Sequence, residues 1–140
     1  MKNLKINHLA VWASVIVLSG LGFLWYGPLF GDSWMEMVGI TMADAEANPP
    51  GVATWITNTI ATAAPLYVLA WIFTQMRVES AIRGALIGSL IAFTFVLMSR
   101  MVSGLFSMDP YWLAWLEGGY DCISLAIGGA IIGGWRKYAE

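Results

Sequence analysis

Apolar residues dominate four stretches of the chain, about 6–26, 52–76, 80–102 and 111–135, and charges gather in the segments between them. Each stretch reaches the roughly 20 residues that cross a hydrocarbon core as a helix. The first is uncharged from Ile6 to Gly31, and Gly27-Pro28 is expected to stop its helix near Tyr26, because proline cannot continue the hydrogen-bond ladder. Its basic start resembles a signal peptide. The apolar run continues past a usual h-region, however, and shows no A-x-A cleavage site, so it reads as a retained span. Trp25 and Tyr26 suit the headgroup level, and His8 reads as an interfacial histidine at the other end.

Residues 27–50 carry Asp32, Glu36, Asp44 and Glu46 with no lysine or arginine, interleaved with Trp34, Met35, Met37, Val38 and Ile40. The pattern predicts an amphipathic outer loop lying on the membrane, with a short interfacial helix over 33–38 capped by Asp32 or Ser33. Asn48-Pro49-Pro50-Gly51 then ends the segment. The second span is polar in its first half, through Thr54, Thr57, Asn58, Thr59 and Thr62, and Pro65 is expected to kink it. The third carries Gly84-x-x-x-Gly88, and the fourth carries Gly129-x-x-x-Gly133. Both are small-residue faces that let helix backbones approach closely, within this chain or against another subunit.

The fold predicted is all-α: a single transmembrane domain over 1–140, built as a four-helix bundle with one long outer loop between helices 1 and 2. Composition agrees, with 59% hydrophobic residues, 11% charged and a mean hydropathy of +0.69. A soluble domain of this size carries about 25% charged residues. Six of the seven basic residues, Lys2, Lys5, Arg77, Arg83, Arg136 and Lys137, fall on one side of this topology. The opposite loops hold Asp32, Glu36, Asp44, Glu46 and Asp109. This positive-inside bias predicts cytoplasmic termini and a multi-pass protein of the cytoplasmic (inner) membrane. No basic patch argues for nucleic acid. The single Cys122 excludes an internal disulfide and a thiolate metal site, and no metal or cofactor is expected.

Arg100 is the one basic residue off the pattern. At about 1.5 Å per helical residue, it falls at the depth of Glu117 in span four and Asn58 in span two, one turn above Asp121 and Thr62. Glu117 and Asp121, four apart, share a helix face beside Tyr120. Asn58, Thr62, Arg100, Glu117, Tyr120 and Asp121 therefore form a candidate intramembrane polar cluster. It reads either as a structural ion pair that fixes which helix faces which, or as an outward-facing pocket for an ion, a proton or a small solute centred on Asp121. No nucleophile–base pair, metal-ligand spacing or phosphate loop suggests an enzyme.

At Trp25-Tyr26-Gly27-Pro28-Leu29-Phe30-Gly31, with Trp34-Met35 and Gly39 after it, the chain resembles the family of small bacterial membrane proteins known as domain of unknown function 1761. Gly119-Tyr120-Asp121, Ser124-Leu125, Gly129-Ala130-Ile131 and Trp135 resemble it as well. The resemblance implies four spans and these same motifs, with Trp25, Tyr26, Gly27, Pro28 and Trp34 as an interfacial motif. It weights Tyr120 and Asp121 above Glu117, and it implies no activity. The leading expectation is a non-enzymatic structural or accessory subunit of a membrane assembly, partnered by lipid and by other membrane subunits or itself. The alternative is a small transporter or ligand-binding protein using the pocket around Asp121 and Arg100.

Overall fold

The computed structural model describes residues 2–140, and its regular structure is helical except for one pair of two-residue strands. In order, the elements begin with β1 (Leu4–Lys5) and α1 (His8–Leu24), which widens into a π-helical turn at Trp25–Leu29. Then come α2 (Gly31–Val38), α3 (Met42–Ala47), α4 (Val52–Gln75), α5 (Ala81–Ile91) and a second π-helical segment (Ala92–Leu97). The chain ends with α6 (Met98–Ser107), α7 (Tyr111–Gly134) and β2 (Lys137–Tyr138). Three continuous helical stretches, His8–Leu29, Val52–Gln75 and Ala81–Ser107, are long and apolar enough to cross a membrane. α7 matches them in length with 24 residues, but Glu117, Asp121 and its glycines lower its average apolarity.

The first stretch does not stop at Gly27-Pro28. Pro28 has no N–H to give, yet the chain keeps winding because the turn widens. The Phe30 N–H reaches the Trp25 carbonyl at 2.9 Å, and Gly27 absorbs the distortion with φ −112° and ψ −106°. This wide turn leads straight into α2, whose first bond runs from the Trp34 N–H to the Phe30 carbonyl at 2.9 Å. As a result α2 starts at Gly31 and its N-cap is Phe30, with no side-chain cap; neither Asp32 nor Ser33 does that work. A second short helix, α3, opens on a reciprocal box. The Thr41 hydroxyl accepts from the Asp44 N–H at 3.1 Å, and the Asp44 carboxylate accepts from the Thr41 N–H at 2.9 Å. The segment predicted as a loop with one helix thus holds two.

The core lies toward the strand end of the molecule. Ala10, Val11, Val15 and Leu18 of α1 meet Ala63, Leu66, Leu69, Ala70 and Phe73 of α4, joined by Val78 and by Ile132 of α7. α5 and α7 approach backbone to backbone. A β-carbon on Gly84 would run into the Gly129 carbonyl, and one on Gly88 into the Leu125 carbonyl. One on Gly133 would stand 2.7 Å from the Ser80 carbonyl. The two small-residue faces therefore meet each other inside one chain.

α4 runs unbroken through Pro65, and its two halves differ. From Ala63 onward it carries core residues, whereas residues 52–61 are exposed on every side. α4 leans on its neighbours at the strand end and leaves them at the other. At the strand end β1 pairs antiparallel with β2, Leu4 opposite Tyr138 and Lys5 opposite Lys137. Asn7 clamps this pair, giving its side-chain amide to the Trp135 carbonyl at 3.1 Å while its oxygen caps α1. Tyr138 donates to Glu79 at 2.5 Å, which ties the strands to the α4–α5 turn.

Candidate functional site: a polar groove under an aromatic rim

The divergence of α4 opens a groove of about 760 Å³ between α4, α1, α6 and α7. Leu18, Ser19, Gly22 and Phe23 line it from α1, and Trp55, Asn58, Thr59, Thr62 and Pro65 from α4. Val96 and Arg100 line it from the third stretch, and Tyr120, Asp121, Ser124 and Leu125 from α7. Most of these surfaces are apolar. The charge is gathered at one end.

There the Arg100 guanidinium binds two carboxylates at once. Its Nη1 donates to Glu117 at 2.7 Å and its Nε to Asp121 at 3.1 Å. Glu117 Oε1 accepts from the Trp34 indole at 3.0 Å, so both Glu117 oxygens are engaged and α2 is pinned over the triad. Asp121 uses only Oδ2, and it lines the groove where Glu117 does not. Side-chain exposures of 44% for Arg100, 22% for Glu117 and 24% for Asp121 describe a half-buried cluster.

An aromatic rim encloses it. The Tyr26 ring meets Tyr120 edge-on at 5.4 Å and Trp34 at 5.6 Å, and Trp25 stands 6.1 Å from Tyr120. The polar ends of these rings also find partners. Tyr120 donates to the Leu18 carbonyl at 3.0 Å, and Trp25 to the Leu116 carbonyl at 3.2 Å. Gly22 gives Tyr120 its room, since a β-carbon there would stand 3.1 Å from the phenol oxygen. The turn at Gly27-Pro28 aims Trp25 and Tyr26 at α7 and carries Trp34 across the top.

The structure joins Arg100, Glu117 and Asp121 and sets Tyr120 beside them. It leaves Asn58 and Thr62 on the opposite wall. The Thr62 hydroxyl returns to the Asn58 carbonyl of its own helix at 2.8 Å. Gly84, Gly88, Gly129 and Gly133 lie away from the groove, in the α5–α7 contact. His8 shares a hydrogen bond of 3.0 Å with Tyr67 near the strand end. Among the described residues no three His, Cys, Asp or Glu side chains converge to hold a metal. Sequence reasoning missed the tie from Trp34 to Glu117 and the α1 wall at Leu18, Ser19 and Gly22, whereas the spacing puts Ser124 on the face of Glu117 and Asp121, where it lines the groove. Ser19 and Gly22, three apart and hence small neighbours on one face of α1, are the available signal.

The aromatic rim and the acidic face of α7 fall within one family pattern, for a family model described as protein of unknown function (DUF1761) matches residues 9–133. The chain belongs to that family. No curated protein and no solved structure matches it. The matched region takes in α1 through almost all of α7, so rim, triad and groove are all built from family sequence.

Proposed function

We propose that this family member is a four-span, non-enzymatic membrane protein that binds a small amphiphilic molecule in the groove between α4 and α7. The carrying observation is the groove itself: an apolar trough of about 760 Å³ that ends in a charged triad under an aromatic rim. Such a volume suits one small molecule. Its polarity gradient favours an occupant with a polar head and an apolar tail. An ion pair that served packing alone would have no need of a trough beside it.

Four crossings are supported by parity. β2 pairs with β1, so the chain ends where it began, and three crossings would leave its ends on opposite sides. In α7 the triad supplies the counter-charge that makes two carboxylates tolerable in hydrocarbon. Lys5 and Lys137 stand opposite each other at the strand end, which favours that end as the cytoplasmic one.

A second reading, an accessory subunit or homo-oligomer, is favoured by residues 52–61, exposed on all sides of α4 although Asn58 and four threonines lie in or beside them. One measurement separates the two: the native mass of protein extracted gently from its membrane, for wild type and for Thr59→Trp, which fills the groove. A small molecule carried by the wild type and lost from Thr59→Trp supports the binding reading. A reproducible complex with other polypeptides, unchanged by Thr59→Trp and free of small molecules, overturns it in favour of the subunit.

A further inference from the structure

The head of the groove has a definite charge. Two carboxylates share one guanidinium, so with both acids ionised the triad carries one net negative charge. That charge is not spread evenly. Glu117 spends both oxygens on Arg100 and Trp34 and faces away from the groove. Asp121 spends only Oδ2, and among the described residues nothing donates to its Oδ1. One turn along the same face, Ser124 is only 4% exposed and lines the groove, and among the described residues its hydroxyl has no partner. A serine in a helix ordinarily returns its hydroxyl to the carbonyl four residues back, as Ser14 and Ser19 do here at 2.7 and 2.8 Å. Ser124 does not. A buried, unsatisfied hydroxyl is costly unless something completes it.

Resting on the groove-binding reading above, we infer that the occupant is an amphiphile with a protonated amine head, the ammonium donating to Asp121 and Ser124 and its tail lying along Leu18, Phe23, Trp55 and Leu125. An ammonium brings three donors and no acceptor, and it meets here two oxygens with unused acceptor capacity and one uncompensated charge. A carboxylate or phosphate head would instead face Asp121 across the groove, and its only cationic partner, Arg100, already serves two anions. A neutral hydroxyl head can satisfy Ser124 but leaves the charge unmatched.

The test uses the full chain in nanodiscs of neutral lipid, probed with dodecylamine, dodecanol and dodecanoate at a pH where the amine is protonated and the acid ionised. Thermal shift against ligand concentration gives the three affinities. Dodecylamine is expected to bind about tenfold tighter than dodecanol, the size of effect that about 1.4 kcal/mol of charge pairing gives. Dodecanoate is expected to bind weakest. Asp121→Asn, which keeps Arg100 paired with Glu117, should lower the amine's affinity by about tenfold and remove its preference over the alcohol. Thr59→Trp should weaken all three.

If the alcohol or the carboxylate binds as tightly as the amine, yet Thr59→Trp abolishes that binding, the amine assignment falls and the groove remains a binding site. If none of the three binds in a way that Thr59→Trp removes, both readings fall together. Should Asp121→Asn not fold, the order of affinities in the wild type decides the head group by itself.

Discussion

Arg100 differs from its two partners in what its loss leaves behind. Without Glu117 or Asp121, the guanidinium keeps one carboxylate. Without Arg100, two carboxylates four residues apart face each other with no cation near. Breaking a fully buried pair costs about 3–5 kcal/mol. With Arg100 44% exposed the cost is discounted, and Arg100→Leu should lose about 2–3 kcal/mol. Glu117→Gln and Asp121→Asn should each lose less than half of that. Thermal unfolding in one detergent orders the three, and an Asp121→Asn protein as unstable as Arg100→Leu would contradict the shared fork. Counting residues along the predicted spans puts Arg100, Glu117 and Asp121 near one depth, and the fork joins them. The same count puts Asn58 and Thr62 there too, but depth says nothing about lateral distance, and α4 has leaned away. Ser124 could not be singled out from sequence, because whether a helical hydroxyl bonds its own carbonyl depends on a rotamer that the sequence does not set.

At the scale of elements, α5 and α7 are held by the absence of side chains. Gly84 and Gly129 each place bare backbone against the other's carbonyl, and no rotamer change can make room for a methyl there. Gly129→Ala should therefore cost about 3 kcal/mol or more, at the upper end of overpacking. Gly20→Ala in α1, with nothing within 4 Å of the new carbon, should be neutral or slightly stabilising. If the two substitutions were equal in their effect on thermal stability, the close approach of α5 and α7 would be disproved. α3 offers a pH-dependent contrast. The Thr41 hydroxyl and backbone N–H beside Asp44 hold its carboxyl below the ordinary carboxylate range. A depressed folded pKa stabilises above the unfolded value and is lost as pH falls through the folded one. Amide protection in 42–47, measured against the intrinsic exchange rate at each pH, should hence fall as the solution is acidified through that range, and Thr41→Ala should abolish the dependence. The helices over 52–75 and 111–134 are plain in the hydropathy pattern, which sees length and apolarity. The continuation through Pro28 is not, since proline signals the end of an α-helical ladder but does not forbid a wider turn beside a permissive glycine. α3 escaped notice for a related reason: six residues are too few to show a period, and its box uses aspartate at the third position.

Taken as a whole, the molecule returns to its start. The strand pair of Leu4–Lys5 with Lys137–Tyr138 is too short to be stable alone, and it sets like charges opposite each other. It holds because Asn7 bonds across to Trp135, Tyr138 bonds to Glu79 and the Ala139 N–H reaches Asn3 at 2.8 Å. This latch makes the number of crossings a question with an odd or even answer. The three apolar stretches alone would deliver residue 108 to the side opposite residue 8, and on the proposed four-span reading a crossing by α7 would bring Lys137 back to Lys5. In a Cys122→Ala background, single cysteines at Glu46→Cys, Asp109→Cys and Lys137→Cys can be tested with a thiol reagent that does not cross the membrane. Positions 46 and 109 should react in intact cells, and position 137 only after the membrane is opened. Reaction of Lys137→Cys from outside together with 46 would mean that α7 lies along the surface. The triad would then be an exposed surface pair, and the groove would lose the hydrocarbon wall that gives an amphiphile its reason to enter.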